Sequence, residues 1–165
     1  MGFNQILFAW TARNYMSFIK GAKSADTVNA AHETVVAEIH SCLEGGSQIE
    51  KIELGVAGPA LDWSINTLLP NSMAGWAVIG QPLKGLGDTD ITGVIHNNQA
   101  KLNNSILATI DTEKVRVLCE NLPDEIYTVE ALRANTDYVA EMFDGLKLFY
   151  SHAAAHDNAV ISYSG

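Results

Sequence analysis

"KLFYSHAAAHDNAVISY", Lys147 to Tyr163, is the stretch whose reading decides the fold. Its two flanks, 147–152 and 159–163, are short and rich in aromatic and β-branched residues, which predicts two strands. The small polar run between them is then a hairpin connection. On a helix, His152 and His156 would instead share one side, four residues apart. The composition of the flanks favours strands, and that choice shapes the rest of the chain.

Working outward, "KVRVLCEN" (114–121) alternates Val115, Val117 and Cys119 against Lys114, Arg116 and Leu118, as a strand does. "KIELGVAG" (51–58), "WAVIG" (76–80) and "ILFAW" (6–10) complete the strand candidates, the last reading either as a buried strand followed by a short helix or as the front of a helix running to Ile19, with the first preferred. Helical spacing is clearest in "SADTVNAAHETVVAEIHSCLEGG" (24–46), where Val28, Ala31, Val35, Ile39 and Cys42 form one apolar stripe. A second helix is expected in "YTVEALRANTDYVAEMFDG" (127–145), with Leu132, Asn135, Val139 and Met142 on one face. Thr128 caps it and Gly145 stops it. A third spans 97–108, with Leu102, Ile106 and Leu107 turned inward. "GPALDWSINTLLPNSMAG" (58–75), bracketed by Pro59 and Pro70, is the least regular part.

The expected fold is therefore α/β. One domain over residues 1–165 holds a mixed sheet of about five or six short strands, covered by roughly two to four helices. Apolar residues make up 47% of the chain and charged residues 18%, a globular balance. No apolar run approaches the ~20 residues that span a bilayer.

The net charge is −9, and no two of the ten basic residues are adjacent. Binding to nucleic acid or to an anionic membrane needs a clustered basic face, so neither is an expected partner. Nine of the acidic residues and only three basic ones fall between Asp111 and Asp144, which describes a solvated acidic face or a docking surface for a basic partner. Cys42 and Cys119 form no CxxC pair. With only two separated cysteines the compartment reads as reducing, and the localisation as cytoplasmic.

"GLGDTDITGVIHNNQ" (85–99) is the stretch most like a functional motif. It lacks the third glycine of a dinucleotide loop and the Gly-Lys-Ser/Thr of a Walker loop. Counted from Asp88, it matches a calcium loop at Asp90, Thr92, Gly93 and Ile95, but Gln99 stands where a bidentate Glu is needed. The glycine- and proline-containing approach also denies it an entering helix. A turn leading into a strand or helix fits best.

Other chemistry centres on two further groupings. Cys119 and His152 both close predicted strands; as neighbours they make a thiolate–imidazole pair, with Asn121, Asp157 or Asn158 orienting the ring. His152, His156 and Asp157 offer metal ligands alongside Asp88, Asp90 and Thr92. Against both stands the ordinary reading of Cys119 as a small core residue and of the histidines as surface or capping groups. No GxSxG elbow, HExxH motif or cofactor fingerprint occurs, and no cofactor is assigned.

The leading expectation is a non-catalytic protein-interaction or assembly module. A cysteine-dependent hydrolase or transferase is the alternative, and a metal-binding domain the third. The three Trp residues, with five Tyr and five Phe, exceed what the periodic elements need for a core. The surplus points to self-association, with Trp63 or Trp76 at the contact.

Overall fold

A computed structural model describes residues 4–11, 49–82 and 91–165, together with single positions between 13 and 44. Most of the helix expected over 24–46, Cys42 included, lies outside the described residues, as do Asp88 and Asp90; within it Ala37 and Ser41 are helical. Four strands form one sheet: β1 (Gln5–Thr11), β2 (Lys51–Gly55), β3 (Ile91–Ile95) and β4 (Asn158–Ser164). Among the described residues five α-helices of defined extent accompany them: α1 (Gly58–Leu68), α2 (Asn97–Leu107), α3 (Thr112–Leu118), α4 (Val129–Ala134) and α5 (Thr136–Ala155). The α/β class stands, with four strands in place of five or six and every pairing antiparallel.

The order across the sheet is β2-β1-β4-β3. The two central strands therefore come from opposite ends of the described chain, and they pair along their full length, Gln5 with Ser164 through Thr11 with Asn158. Both faces are buried. Leu7, Ala9 and Val160 look toward the helices, while Ile6, Phe8, Ala159 and Ile161 are buried on the opposite side. "ILFAW" and "AVISY" read as strands because they are buried on both faces, which needs a continuous apolar run rather than alternation.

Two expected strands are helices. "KLFYSH" is the second half of α5, which runs through Gly145 without stopping. Its buried residues, Val139, Phe143, Leu146, Tyr150 and Ala153, recur every three or four positions. "KVRVLCEN" is α3 and a 3₁₀ turn, Cys119–Asn121. Val115 and Cys119 are buried while Val117 between them is 49% exposed, so the true period is four and not two.

The expected 127–145 helix is broken at Asn135. There the side chain leaves the apolar face and accepts a hydrogen bond from the Tyr138 amide at 3.3 Å, capping α5. Thr128 does occupy the cap position of α4, but in the left-handed region at φ 55° and with no side-chain bond. In α2, Leu107 is buried as expected, Ile106 is half-buried, and Leu102 is exposed.

α5 packs against α2 and α3 and against the sheet. Tyr150, Phe143, Leu7, Leu54, Leu61 and Ile65 are among the largest fully buried side chains. Each is worth roughly 1.5–3 kcal/mol of burial.

The segment read as the strand "WAVIG" makes no such ladder. It leaves a 3₁₀ turn, Met73–Trp76, and its carbonyls are held by side chains instead. The Tyr150 hydroxyl donates to the Ala77 carbonyl at 2.5 Å, and the Ser162 hydroxyl to that of Val78 at 2.8 Å. Gln5 donates from Nε2 to the Ser162 hydroxyl at 2.5 Å, closing a buried polar chain between sheet and segment. Beyond it, Gln81 and Val94 exchange backbone hydrogen bonds at 2.9 and 3.0 Å. Gly80 has φ +68°, and a Cβ on Gly93 would lie 2.6 Å from the Gly80 carbonyl carbon. Gly93 is thus required by close backbone approach, a different need from the calcium-loop position its sequence suggested.

Candidate binding cleft at Trp76

The stretch expected to be irregular holds a helix and leads into Trp76, an exposed aromatic. Pro59 sits in the first turn of α1, where its missing amide is harmless. Ala60, Leu61, Ser64 and Ile65 face the core, leaving Asp62 and Asn66, four apart, on another face. After α1, Asn71 turns the chain in the left-handed region at φ 59°. Ser72 then opens the 3₁₀ turn.

That turn is pinned from two sides. From α1, Asn66 Nδ2 donates to the Asp62 carbonyl at 2.9 Å and to the Gly75 carbonyl at 3.2 Å. From α2, Gln99 Nε2 donates to the Met73 carbonyl at 2.8 Å and to Asn103 Oδ1 at 2.9 Å. Ala74 plugs into the core, 1% exposed, while Met73 and Trp76 remain 54% and 40% exposed. Two large apolar side chains are thus held outward by a fixed backbone, beside which Trp63 is partly buried against the core.

Two clefts flank the Trp76 ring. One, of about 510 Å³, is lined by Asp62, Asn66, Ser72, Met73, Trp76 and Gln81 among others. The second, of about 340 Å³, lies between Trp76, Gln81, His96 and Gln99. His96 caps α2, its Nδ1 accepting from the Asn98 amide at 3.2 Å. In the larger cleft two polar atoms are buried with no hydrogen-bond partner, Asp62 Oδ1 and Ser72 Oγ. Burial raises the Asp62 pKa from 3.8 to about 6.

The residues singled out from the sequence are placed elsewhere, and apart. Cys119 is fully buried, its sulfur 3.6 Å from the Ser64 hydroxyl, and burial raises the thiol pKa. His152 lies exposed in the last turn of α5 and pairs through Nδ1 with Glu50 at 2.8 Å. Neither closes a strand, so the geometry that suggested the pair is absent, and no described contact joins them. Asn121 is exposed at the end of its 3₁₀ turn.

Asp157 has φ 55° just past α5, where a short polar side chain suits the turn into β4. It accepts from Asn97 Nδ2 at 3.0 Å and pairs with Lys101 at 2.5 Å, which holds its pKa below the usual carboxylate range. Asn158 begins β4. His156 Nδ1 bonds the His152 carbonyl at 2.8 Å, and His156 lines a third cleft of about 540 Å³ with Glu50 and Trp10. Thr92 lies in β3 at the bulge between Ile91 and Gly93. Among the described residues, no three His, Cys, Asp or Glu side chains converge as a metal site requires.

No protein-family model and no curated protein matches the chain. Its fold is similar to that of YfbM from Escherichia coli, a protein of unknown function known from a crystal structure. The TM-score is 0.55 at 13% sequence identity, over 96% of this chain and 97% of that one. At that identity the likeness concerns the fold alone. Among the described residues, no helix is long and apolar enough to cross a membrane.

Proposed function

We propose that this chain is a non-catalytic protein-interaction or assembly module that self-associates through the surface around Met73 and Trp76. The observation that carries this reading is the exposure of those two side chains, 54% and 40%, on one pinned turn. Large apolar groups held rigidly in water lose little conformational entropy when covered, and such groups anchor interfaces. Trp76, and not the partly buried Trp63, is the aromatic expected at the contact. The cysteine-dependent alternative draws no support from a fully buried Cys119 whose thiol pKa is raised, since attack needs an accessible thiolate.

Light scattering at tens of micromolar tests the reading. The expected mass is that of a dimer or larger, falling to the monomer in Trp76→Ser. A monomeric mass for the unaltered chain would overturn it.

A further inference from the structure

We propose that the cleft between Asp62 and Trp76 receives the cationic side chain, ammonium or guanidinium, of a lysine or arginine on the partner protein. The inference rests on the interaction reading above and names the chemistry of the contact.

Three observations converge on it. First, the Asp62 carboxylate holds an unsatisfied acceptor. Asp62 Oδ1 is a pure acceptor when ionised, and among the described residues neither it nor Ser72 Oγ, which can donate as well as accept, has a partner. An unpaired buried polar atom costs free energy until a donor reaches it. The nearby amide donors are already committed, since Asn66 Nδ2 serves the Asp62 and Gly75 carbonyls and Gln99 Nε2 serves Met73 and Asn103. What the Asp62 carboxylate lacks among the described residues is therefore a donor.

Second, the charge is uncompensated. Among the described residues, Asp62 belongs to none of the ion pairs, and no Lys, Arg or His lines this cleft. A carboxylate half withdrawn from water gains most from a cation placed beside it. Third, the exposed Trp76 also lines the cleft, and the face of an indole ring attracts cations. Carboxylate and indole together match an ammonium or guanidinium on an alkyl stem, the stem covering Met73. A volume of about 510 Å³ has room for such a side chain.

The test uses the full chain at a concentration low enough to keep it monomeric. N-acetyl-lysine methylamide and N-acetyl-arginine methylamide are titrated against it, followed by the indole N–H resonance of Trp76. That resonance is assigned with Trp76→Phe. The uncharged control is N-acetyl-norleucine methylamide, which keeps the alkyl stem. Expected are saturable shifts with either cation, and affinity reduced about tenfold or more both for norleucine and in Asp62→Asn. Equal binding of norleucine, or full binding by Asp62→Asn, would overturn the inference, as would no shift with either cation. Asp62→Asn keeps size and shape, and retention of its other backbone resonances shows that it is folded. The two readings fail separately. A dimer that ignores the cations sinks only the cleft chemistry, while a monomer that binds them overturns self-association, and with it a second copy as the source of the cation, but not the affinity of the cleft for one.

Discussion

Burial leaves the Asp62 carboxylate with one oxygen that no described donor reaches, and its pKa rises from 3.8 to about 6. The sign of its effect on stability follows. Below pH 3.8 the group is neutral whether the chain is folded or not, and no charge is desolvated. As pH rises the unfolded chain releases its proton first, so stability falls until the folded group ionises near pH 6. The full linkage is reduced by the partial exposure of Asp62, leaving about 1 kcal/mol. Asp62→Asn is therefore expected to be more stable than the unaltered chain by about 1 kcal/mol at neutral pH, with the gain fading toward pH 4. Urea melts of both proteins across that range would measure it. A gain that does not change with pH would show that desolvation is not the cause. A substitution that stabilises the fold while removing cation binding is the pattern expected of a residue kept for recognition.

The break at Asn135 governs how the helices meet the sheet. Asn135→Ala removes the side chain that caps α5 and should cost about 1 kcal/mol, and Asn135→Asp should restore most of it. Thermal unfolding of the two variants would decide, and equal losses in both would point to some role other than capping. The same element shows what the sequence disclosed. β1 and β4 were legible because a run such as "ILFAW" has no polar face to offer water. α5 kept part of the expected stripe, with Val139 buried and Met142 half-buried, but its aromatic half resembles a strand and Gly145 resembles a stop. Inside a packed helix that glycine is instead half-buried, with room for Ile52 above it. In α3, the apolar residue at Val117 mimicked alternation although it faces solvent. The cleft was half legible. Trp76 stood out as a surplus aromatic. Asp62 did not, because Pro59 and Pro70 made α1 look irregular and concealed the four-residue spacing to Asn66. Its isolation from any cation is a tertiary fact, fixed by where the Met73–Trp76 turn lies.

Charge acts on the whole molecule. The net charge of −9 is set against a few ion pairs among the described residues, such as Arg133 with Asp124 at 2.7 Å and Lys147 with Asp144 at 3.4 Å. In each pair the acidic partner is mostly exposed. Exposed pairs are worth between zero and about 1 kcal/mol each, and salt weakens them. The surplus acids repel one another over the whole surface, and salt weakens that too. At 0.01 M salt the screening length is about 30 Å, comparable to the molecule; at 0.15 M it is about 8 Å, so only near neighbours still interact. Moving between those conditions removes most of the long-range repulsion while sparing part of each short-range pair. Repulsion should therefore be the larger loss, and added salt should stabilise the fold. The expected outcome is a melting temperature higher by a few degrees at 0.15 M than at 0.01 M sodium chloride, measured at low protein concentration to keep assembly out of the comparison. Self-association should respond in the same direction, because two copies of an acidic chain must meet before Trp76 can be covered. Contact between a cation and Asp62 should respond oppositely, weakening as salt rises. A melting temperature that falls with salt would mean that the ion pairs, and not the excess of acidic groups, dominate the electrostatics of the folded chain.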